Sequence, residues 1–364
     1  MSDFIVVGGG MIGLLTAREL ALAGADVILL ERNSSTGKES SWAGGGILSP
    51  LYPWRYPEAV NALAYWGQAV YKDLAQELKE ATAIDPEWVQ SGMLVLDALD
   101  NVVALDWANR NAVRMQSLTP TEVHELAPEL VGMQGDALYM PDVAQIRNPR
   151  LVKALRKYLL LLGVKIYENT SVIGGVFVDS SIRGVTTLTQ QFDADKVVLA
   201  GGAWSSNIFG ELGSVLPVVP VRGQMLLYQS APDMISHIYL KDGYYVIPRS
   251  DGHILVGSTV EHVGFDKSTT CEANEQLRGV AEKLVPQLSK CLIEKQWAGL
   301  RPGSPKGIPL ISSHPYITGL YMNVGHFRNG VVMGASSARL LADIALARTP
   351  LIDPAVYRLL PDEG

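Results

Sequence analysis

The 364-residue chain reads as an α/β protein in which a unit built on a parallel sheet is interleaved with an α+β unit built on a mostly antiparallel sheet. Three observations predict this. Residues 1–31 follow a strand, glycine turn, helix, strand order, with apolar β-branched strands of the kind buried in parallel sheets. The same grammar returns at Lys196–Gly202 and again from Leu320 to about residue 347. Between these blocks the chain turns β-rich, and Ser250-Asp251-Gly252 between two apolar runs is a hairpin signal.

The first element carries the most information. Phe4-Ile5-Val6-Val7 forms a strand that runs into Gly8-Gly9-Gly10-Met11-Ile12-Gly13. Gly8 permits the tight turn, Gly10 lets backbone approach a pyrophosphate, and Gly13 lets helix and sheet pack closely. Met11 and Ile12 open a helix expected over 11–24, whose positive N-terminal end faces phosphates. The second strand, Val27–Leu30, ends in Glu31, an acceptor for ribose hydroxyls that disfavours a 2′-phosphate. Strand, glycines, helix and acid coincide at the right intervals, so a Rossmann-type site for an adenine dinucleotide is expected.

The remaining elements follow in order. Asn33 to Gly46 is a polar, glycine-rich loop, and Glu58 to about Ala83 is one long amphipathic helix. Short strands at Gly92–Leu96 and Ala137–Met140 alternate with helices, and Thr119-Pro120-Thr121-Glu122 is a capping box. Asn148-Pro149 is expected to cap a helix that stops at Gly163. Val164–Tyr167, a hairpin through Gly184 and the buried strand Lys196–Leu199 return the chain to the first unit. Residues 216–260 are β-rich, a helix covers about 273–287, and Leu320–Val324 leads through a glycine loop into a helix at 330–347. Residues 1–85, 141–215 and 300–364 therefore form one discontinuous domain, and residues 86–140 and 216–299 form the other.

Composition narrows the function classes. A net charge of −7 with no basic run argues against a nucleic-acid partner. The two cysteines, Cys271 and Cys291, make neither a disulfide framework nor a metal pattern, and the six histidines are scattered, so no metal is expected. The longest apolar stretch, Phe4 to Leu30, carries Arg18, Glu19 and Asp26 and is no membrane span. No basic segment precedes the first strand, and a cytoplasmic location is expected.

Arg301 and Arg328 lie in glycine-flanked turns of apolar segments, Gly299-Leu300-Arg301-Pro302-Gly303 and Gly325-His326-Phe327-Arg328-Asn329-Gly330. Arginine is rarely buried without a partner, and its fork suits a carboxylate. A ligand carboxylate or protein groups could each fill that role. On a strand Tyr244 and Tyr245 face opposite sides, so only one can enter a pocket. Met225, Met322 and Met333 read as core, His326 as a loop residue contributing backbone, and Pro50–Pro57 as a lid, a subunit contact or plain surface.

These motifs, with Ser40-Ser41-Trp42-Ala43-Gly44, Val198-Leu199-Ala200-Gly201-Gly202-Ala203-Trp204-Ser205 and Tyr245-Val246-Ile247-Pro248-Arg249, occur in the order that resembles the FAD-dependent D-amino acid oxidase superfamily, and within it the glycine oxidase branch that feeds thiamine thiazole synthesis. The similarity spans residue 4 to about 347. It implies that Arg301 takes an amino-acid carboxylate bidentately, Tyr245 donates to the same group, and Arg328 borders flavin and substrate. Glu31 and Arg32 would hold the adenosine ribose, while Ser40, Ser41 and Gly45, Gly46 and Ile47 would contact flavin and phosphates. Val172 would touch adenine, and His326, Phe327, Arg328, Asn329, Gly330, Val331 and Val332 would cover the flavin's pyrimidine edge. No cysteine lies between Arg301 and His326, so the FAD would be non-covalent. Relatives are often tetramers, which implies a homo-oligomer.

The activity so implied is hydride transfer from the substrate Cα to flavin N5, giving an imino acid that hydrolyses to the oxo acid and ammonia. O2 would reoxidise the flavin to give hydrogen peroxide. Glycine, sarcosine, D-alanine and D-proline fit this chemistry, whereas a dehydrogenase using a quinone or protein acceptor and a non-catalytic flavoprotein are the alternatives. Two departures from relatives, the Gly44-Gly45-Gly46-Ile47 run and Val260 in place of methionine, are expected to change pocket volume.

Overall fold

The computed structural model describes residues 2–96, 99–210 and 216–359. Ser2–Val7 is the centre of the parallel sheet, paired to Val27–Leu30 on one side and Gln191–Leu199 on the other. Lys165–Tyr167 extends the sheet beyond Val27–Leu30, and Leu320–Val324 extends it beyond Gln191–Leu199, both in parallel. Leu310–Ser313 adds an antiparallel edge. Ile5, Val6 and the flanking Val197 and Val198 are fully buried, which explains the unbroken apolar strands.

Helices Met11–Leu22, Glu58–Thr82, Asn148–Leu161 and Gly334–Ala345 contribute to one buried core with Phe4, Val6, Leu29 and Val198. A separate core on the other face joins Ile5, Val7 and Leu30 to Ile182 and Val185 of the hairpin strand Ser181–Thr187. Ala83 closes the long helix in the left-handed conformation, and the Thr119 capping box forms as expected. The Asn148 cap does not. Asn148 is the first residue inside its helix, and both polar atoms of its buried side chain lack a hydrogen-bond partner.

The second sheet runs in the spatial order Leu292–Gly303, Val219–Gln229, His253–Gly257, Tyr244–Pro248, Ile238–Lys241, Met93–Val95, Ala137–Met140, Gln116–Leu118. Every pairing is antiparallel except Ile238–Lys241 with Met93–Val95. The hairpin around Ser250-Asp251-Gly252 joins Tyr244–Pro248 to His253–Gly257. The first helix ends at Leu22, and the helix near 273–287 occupies Cys271–Leu284 with a 3-10 turn after it. The C-terminal helix begins at Gly334 rather than 330, because Phe327–Asn329 form a separate 3-10 turn first. No helix among the described residues is long and apolar enough to cross a membrane.

Candidate active site

One cleft joins the C-terminal ends of the parallel strands to one face of the antiparallel sheet, with a cavity volume of about 360 Å³. Its first wall is backbone. Gly8, at φ +112°, turns the chain, and a Cβ there would sit 2.4 Å from the Ala200 carbonyl oxygen. A Cβ on Gly13 would overlap the Gly8 carbonyl oxygen at 1.9 Å, so Gly13 packs behind the turn and does not line the cleft. Gly10, Met11 and Ile12 do line it, with the Met11 N–H donating to the Ser41 hydroxyl at 2.8 Å.

Glu31 lies at the strand tip facing the turn. One carboxylate oxygen accepts from the Gly9 N–H at 2.8 Å and the other from the Asn33 N–H at 2.8 Å. Each oxygen retains acceptor capacity for a ribose hydroxyl. Arg32 is held by Glu39 at 2.9 Å and by the Trp204 ring, 3.6 Å from its guanidinium carbon to the ring centre. Val172 lines the same end beside Thr170 and Ser171.

The middle of the cleft is built by residues 40–47 and 326–331. Ser40, Ser41, Gly45, Gly46 and Ile47 line it on one side. Gly46, at φ +75°, bonds back to the Ile146 N–H at 2.9 Å. Opposite lie His326, Phe327, Arg328, Asn329, Gly330 and Val331. Val332 is set behind them, its carbonyl packed against Gly67. The His326 imidazole is buried on Ser337 at 3.0 Å, and burial pushes its pKa down to about 3. It is therefore a neutral group packed on Ser337. Asn329 is 96% buried, and its side-chain amide nitrogen has no partner. A buried donor of this kind is costly unless something accepts from it, which fits a flavin ring edge rich in acceptors.

The second wall carries the charge. Met225, Gly257 and Tyr245 lie side by side across three paired strands, with Trp297 next in the row. A Cβ on Gly257 would come within 2.2 Å of the Met225 sulfur and 2.8 Å of the Tyr245 ring, so only glycine lets these two converge. The Tyr245 hydroxyl donates to the Met225 sulfur at 3.3 Å. Tyr244 points the other way, its hydroxyl accepting from Gln276 at 2.6 Å, as strand alternation requires.

Arg301 lies on the same face, its guanidinium resting on the Gly223 Cα, where a Cβ would be 2.2 Å from Nη2. Nη1 donates to the Thr259 carbonyl at 3.1 Å and Nη2 to the Ser258 hydroxyl at 2.5 Å. Among the described residues no carboxylate lies within ion-pair distance of Arg301 or of Arg328, which donates to the Gly243 carbonyl at 3.3 Å. Burial lowers the Arg301 pKa, the neighbouring Tyr245 oxygen opposes this, and the like charge of Arg328 reinforces it.

Sequence reasoning gave no role to several residues that line the cleft. Gly223, Ser258 and Trp204 are among them, and Met225, buried in the core as expected, lines the cleft as well. Gly223 pairs with Gly299 across the ladder, a register that no local sequence pattern states. Val260 is 45% exposed and lies outside the lining, so its departure from methionine leaves this cleft's walls unchanged. Within Pro50–Pro57, Leu51 lines the cleft and the Tyr52 hydroxyl accepts from the Gly243 N–H at 3.1 Å. Trp54 and Arg55 anchor that segment to Asp100 at 2.7 and 2.9 Å.

Residues 3–344 match the family model described as DAO, FAD dependent oxidoreductase. The chain is 49% identical to a glycine oxidase of Pseudomonas aeruginosa and 46% identical to one of Pseudomonas putida, each over 97% of both chains. The crystal structure of glycine oxidase from Geobacillus kaustophilus superposes with a TM-score of 0.94 at 28% identity, covering 100% of this chain and 99% of that one. Backbone turns suited to a dinucleotide, an unmatched amide donor beside them and this similarity over nearly the whole length agree: the chain belongs to the DAO family of FAD-dependent oxidoreductases and is an FAD-dependent amino-acid oxidase.

Proposed function

We propose that this oxidase acts on glycine and on small amines such as sarcosine, D-alanine and D-proline. The observation that carries the reading is Arg301, a half-buried guanidinium bonded to neutral acceptors, with Tyr245 beside it. Such a fork stabilises a carboxylate that reaches it, and the lost hydration of both charges makes the attraction strong. Arg301 and Tyr245 together fix the acid end of the substrate and thereby which Cα hydrogen is presented. Arg328, bonded to the Gly243 carbonyl, lines the same cleft.

The chemistry supplied by bound, non-covalent FAD is two-electron acceptance at N5, with O2 as the terminal acceptor and hydrogen peroxide as the product of reoxidation. The protein's part is orientation. Glu31, Arg32, Gly8, Gly10, Ser40 and Ser41 would hold the dinucleotide, with Val172 at the adenine. Residues 326–332 would cover the pyrimidine edge. Among the described residues we assign no side chain beside Arg301 as a general base; the amine would enter neutral, and the Cα hydrogen would leave as hydride. With glycine or D-alanine the resulting imine hydrolyses to the oxo acid, glyoxylate from glycine, and ammonia; sarcosine would release methylamine instead, and the cyclic imine from D-proline would keep its nitrogen.

We read residues 1–85, 141–215 and 300–364 as the FAD-binding domain and 86–140 and 216–299 as the substrate-binding domain. A homotetramer in the cytoplasm, serving thiamine thiazole synthesis, completes the proposal. Peroxide release from glycine, sarcosine, D-alanine and D-proline tests it directly. Absence of peroxide together with anaerobic bleaching of the flavin would move the assignment to a dehydrogenase. An unbleached flavin across the panel would end the catalytic reading.

A further inference from the structure

Arg249 closes the motif Tyr245-Val246-Ile247-Pro248-Arg249, yet the reading above gives it no task. It sits just beyond the strand that carries Tyr245 and reaches back to the opposite side of the cleft. Nη2 donates to the Gly45 carbonyl at 2.8 Å, and Nη1 donates to the Gln145 side-chain oxygen at 2.6 Å and the Ile146 carbonyl at 3.4 Å. All three acceptors are neutral. The nearby carboxylates are engaged elsewhere, Asp251 and Glu87 both pairing with Arg147 at 2.6 and 3.1 Å. Burial lowers the Arg249 pKa to about 10, with the Arg147 charge adding to the shift, so the guanidinium stays protonated at neutral pH.

What Arg249 holds is the point where the two walls touch. A Cβ on Gly45 would lie 3.0 Å from the Tyr245 ring and 3.0 Å from the Ile247 side chain. The Gly45 backbone is therefore the surface against which the Tyr245 ring is seated. Gly46 and Ile47 are tied to Ile146 and Gln145 by backbone bonds, the same two residues that Arg249 engages. Arg249 thus clamps both strands of this small bridge from one side. Its fork can bond three carbonyl-type oxygens at once, which an ammonium on a flexible stem cannot reproduce.

We propose that Arg249 is a positioning residue for substrate: by fixing the Gly45–Ile47 turn it sets the depth of the Tyr245 ring and hence the aim of its hydroxyl at the carboxylate held by Arg301. The proposal rests on the carboxylate-anchor reading above and adds a residue to it. Loss of the clamp frees the turn and lets the ring tilt. The effect falls on ligand affinity more than on the rate of a correctly bound substrate.

The test uses the FAD-loaded protein, with acetate as a non-reactive carboxylate titrated against the flavin absorbance spectrum, and glycine turnover measured beside it. In Arg249→Met, acetate Kd and glycine KM are expected to rise roughly tenfold while kcat falls less than threefold. Arg249→Lys should recover part of the loss. In a Tyr245→Phe background the Arg249→Met effect on acetate should shrink to within twofold, because the hydroxyl it aims is gone, and a general structural role would leave the effect intact. Should Arg249→Met not fold, Gln145→Leu removes only one acceptor and should weaken acetate about threefold. Acetate affinity within twofold of the parent in the folded Arg249 variant, or in Gln145→Leu where that serves instead, would overturn the proposal, as would an undiminished effect in the Tyr245→Phe background. A parent enzyme that binds acetate but leaves glycine unoxidised would refute the glycine assignment while leaving the clamp comparison readable.

Discussion

Arg222 and Arg301 leave adjoining strands of one antiparallel sheet and meet opposite surroundings. Arg222, on the face away from the cleft, pairs with Glu261 at 2.5 Å and Asp266 at 2.6 Å. Burial works against its charge, yet those carboxylates carry its pKa above the ordinary value. Arg301, on the cleft face, has only a hydroxyl and carbonyls, and its pKa moves down. A charge neutralised by its own chain is structural, because removing one partner leaves a buried ion uncompensated. A charge left with neutral acceptors is poised for an anion from outside. The comparison also shows how the second arises from the first: Arg222 and Glu261 exchange backbone hydrogen bonds at 2.9 and 3.0 Å, which holds Ser258 and Thr259 against Arg301.

The contrast can be broken by experiments, the strongest first. Arg301→Ala removes the outward charge and should raise the glycine KM about a hundredfold or more, since losing one member of a desolvated charge pair costs about 2–5 kcal/mol. FAD content should stay unchanged, and near-normal glycine affinity would show that the acid end binds elsewhere. Gly13→Ala strikes the other wall. Its methyl meets the Gly8 carbonyl, a crowding worth about 1–3 kcal/mol, so FAD affinity should drop about five- to a hundredfold in equilibrium dialysis while the KM of the loaded fraction holds. Tyr245→Phe removes a single hydroxyl; a hydrogen bond to a charged group contributes about 1.5–3 kcal/mol. The glycine KM should therefore rise at least about tenfold, less than for Arg301→Ala.

The smallest effect concerns pH. The His326 pKa in the folded chain lies near 3, below its unfolded value of about 6.5. Between those values the unfolded chain binds the extra proton, so stability falls as pH falls through that window and is insensitive to this group above it. The slope from one such group is at most about 1.4 kcal/mol per pH unit. His326→Gln, which can still bond Ser337, should flatten the urea-denaturation midpoint against pH between about 6 and 4. An unchanged slope would assign the acid sensitivity to other groups.

The strand, glycine turn and acidic strand tip that open the chain were legible in the sequence, because these parts are local. Gly8, Gly10 and Glu31 are spaced by the geometry of one strand, one turn and one helix, and each residue's reason lies within about two dozen positions of its partners. Strand alternation likewise placed Tyr245 on one face and Tyr244 on the other once the family resemblance chose between them. Contacts made across strands were harder to see. Met225, Gly257 and Tyr245 form one row only because three strands pair in a given register, which no local pattern states. The Asn148 side chain, expected to cap its helix, is instead turned against Gly44 and Gly46, a tertiary packing choice that overrides capping preference. The arginine environments needed the fold as well, since Glu261 and Asp266 reach Arg222 and not Arg301 through loop geometry alone.

Gly223 gives the cleft its measure. The planar head of residue 301 lies flat on that α-carbon, and one added methyl would occupy the space of its nitrogens. Alanine there would push the guanidinium off that α-carbon and into the cleft it lines. On the carboxylate-anchor proposal, the reach left for a substrate is thus set by an absence, a hydrogen where every other amino acid carries carbon.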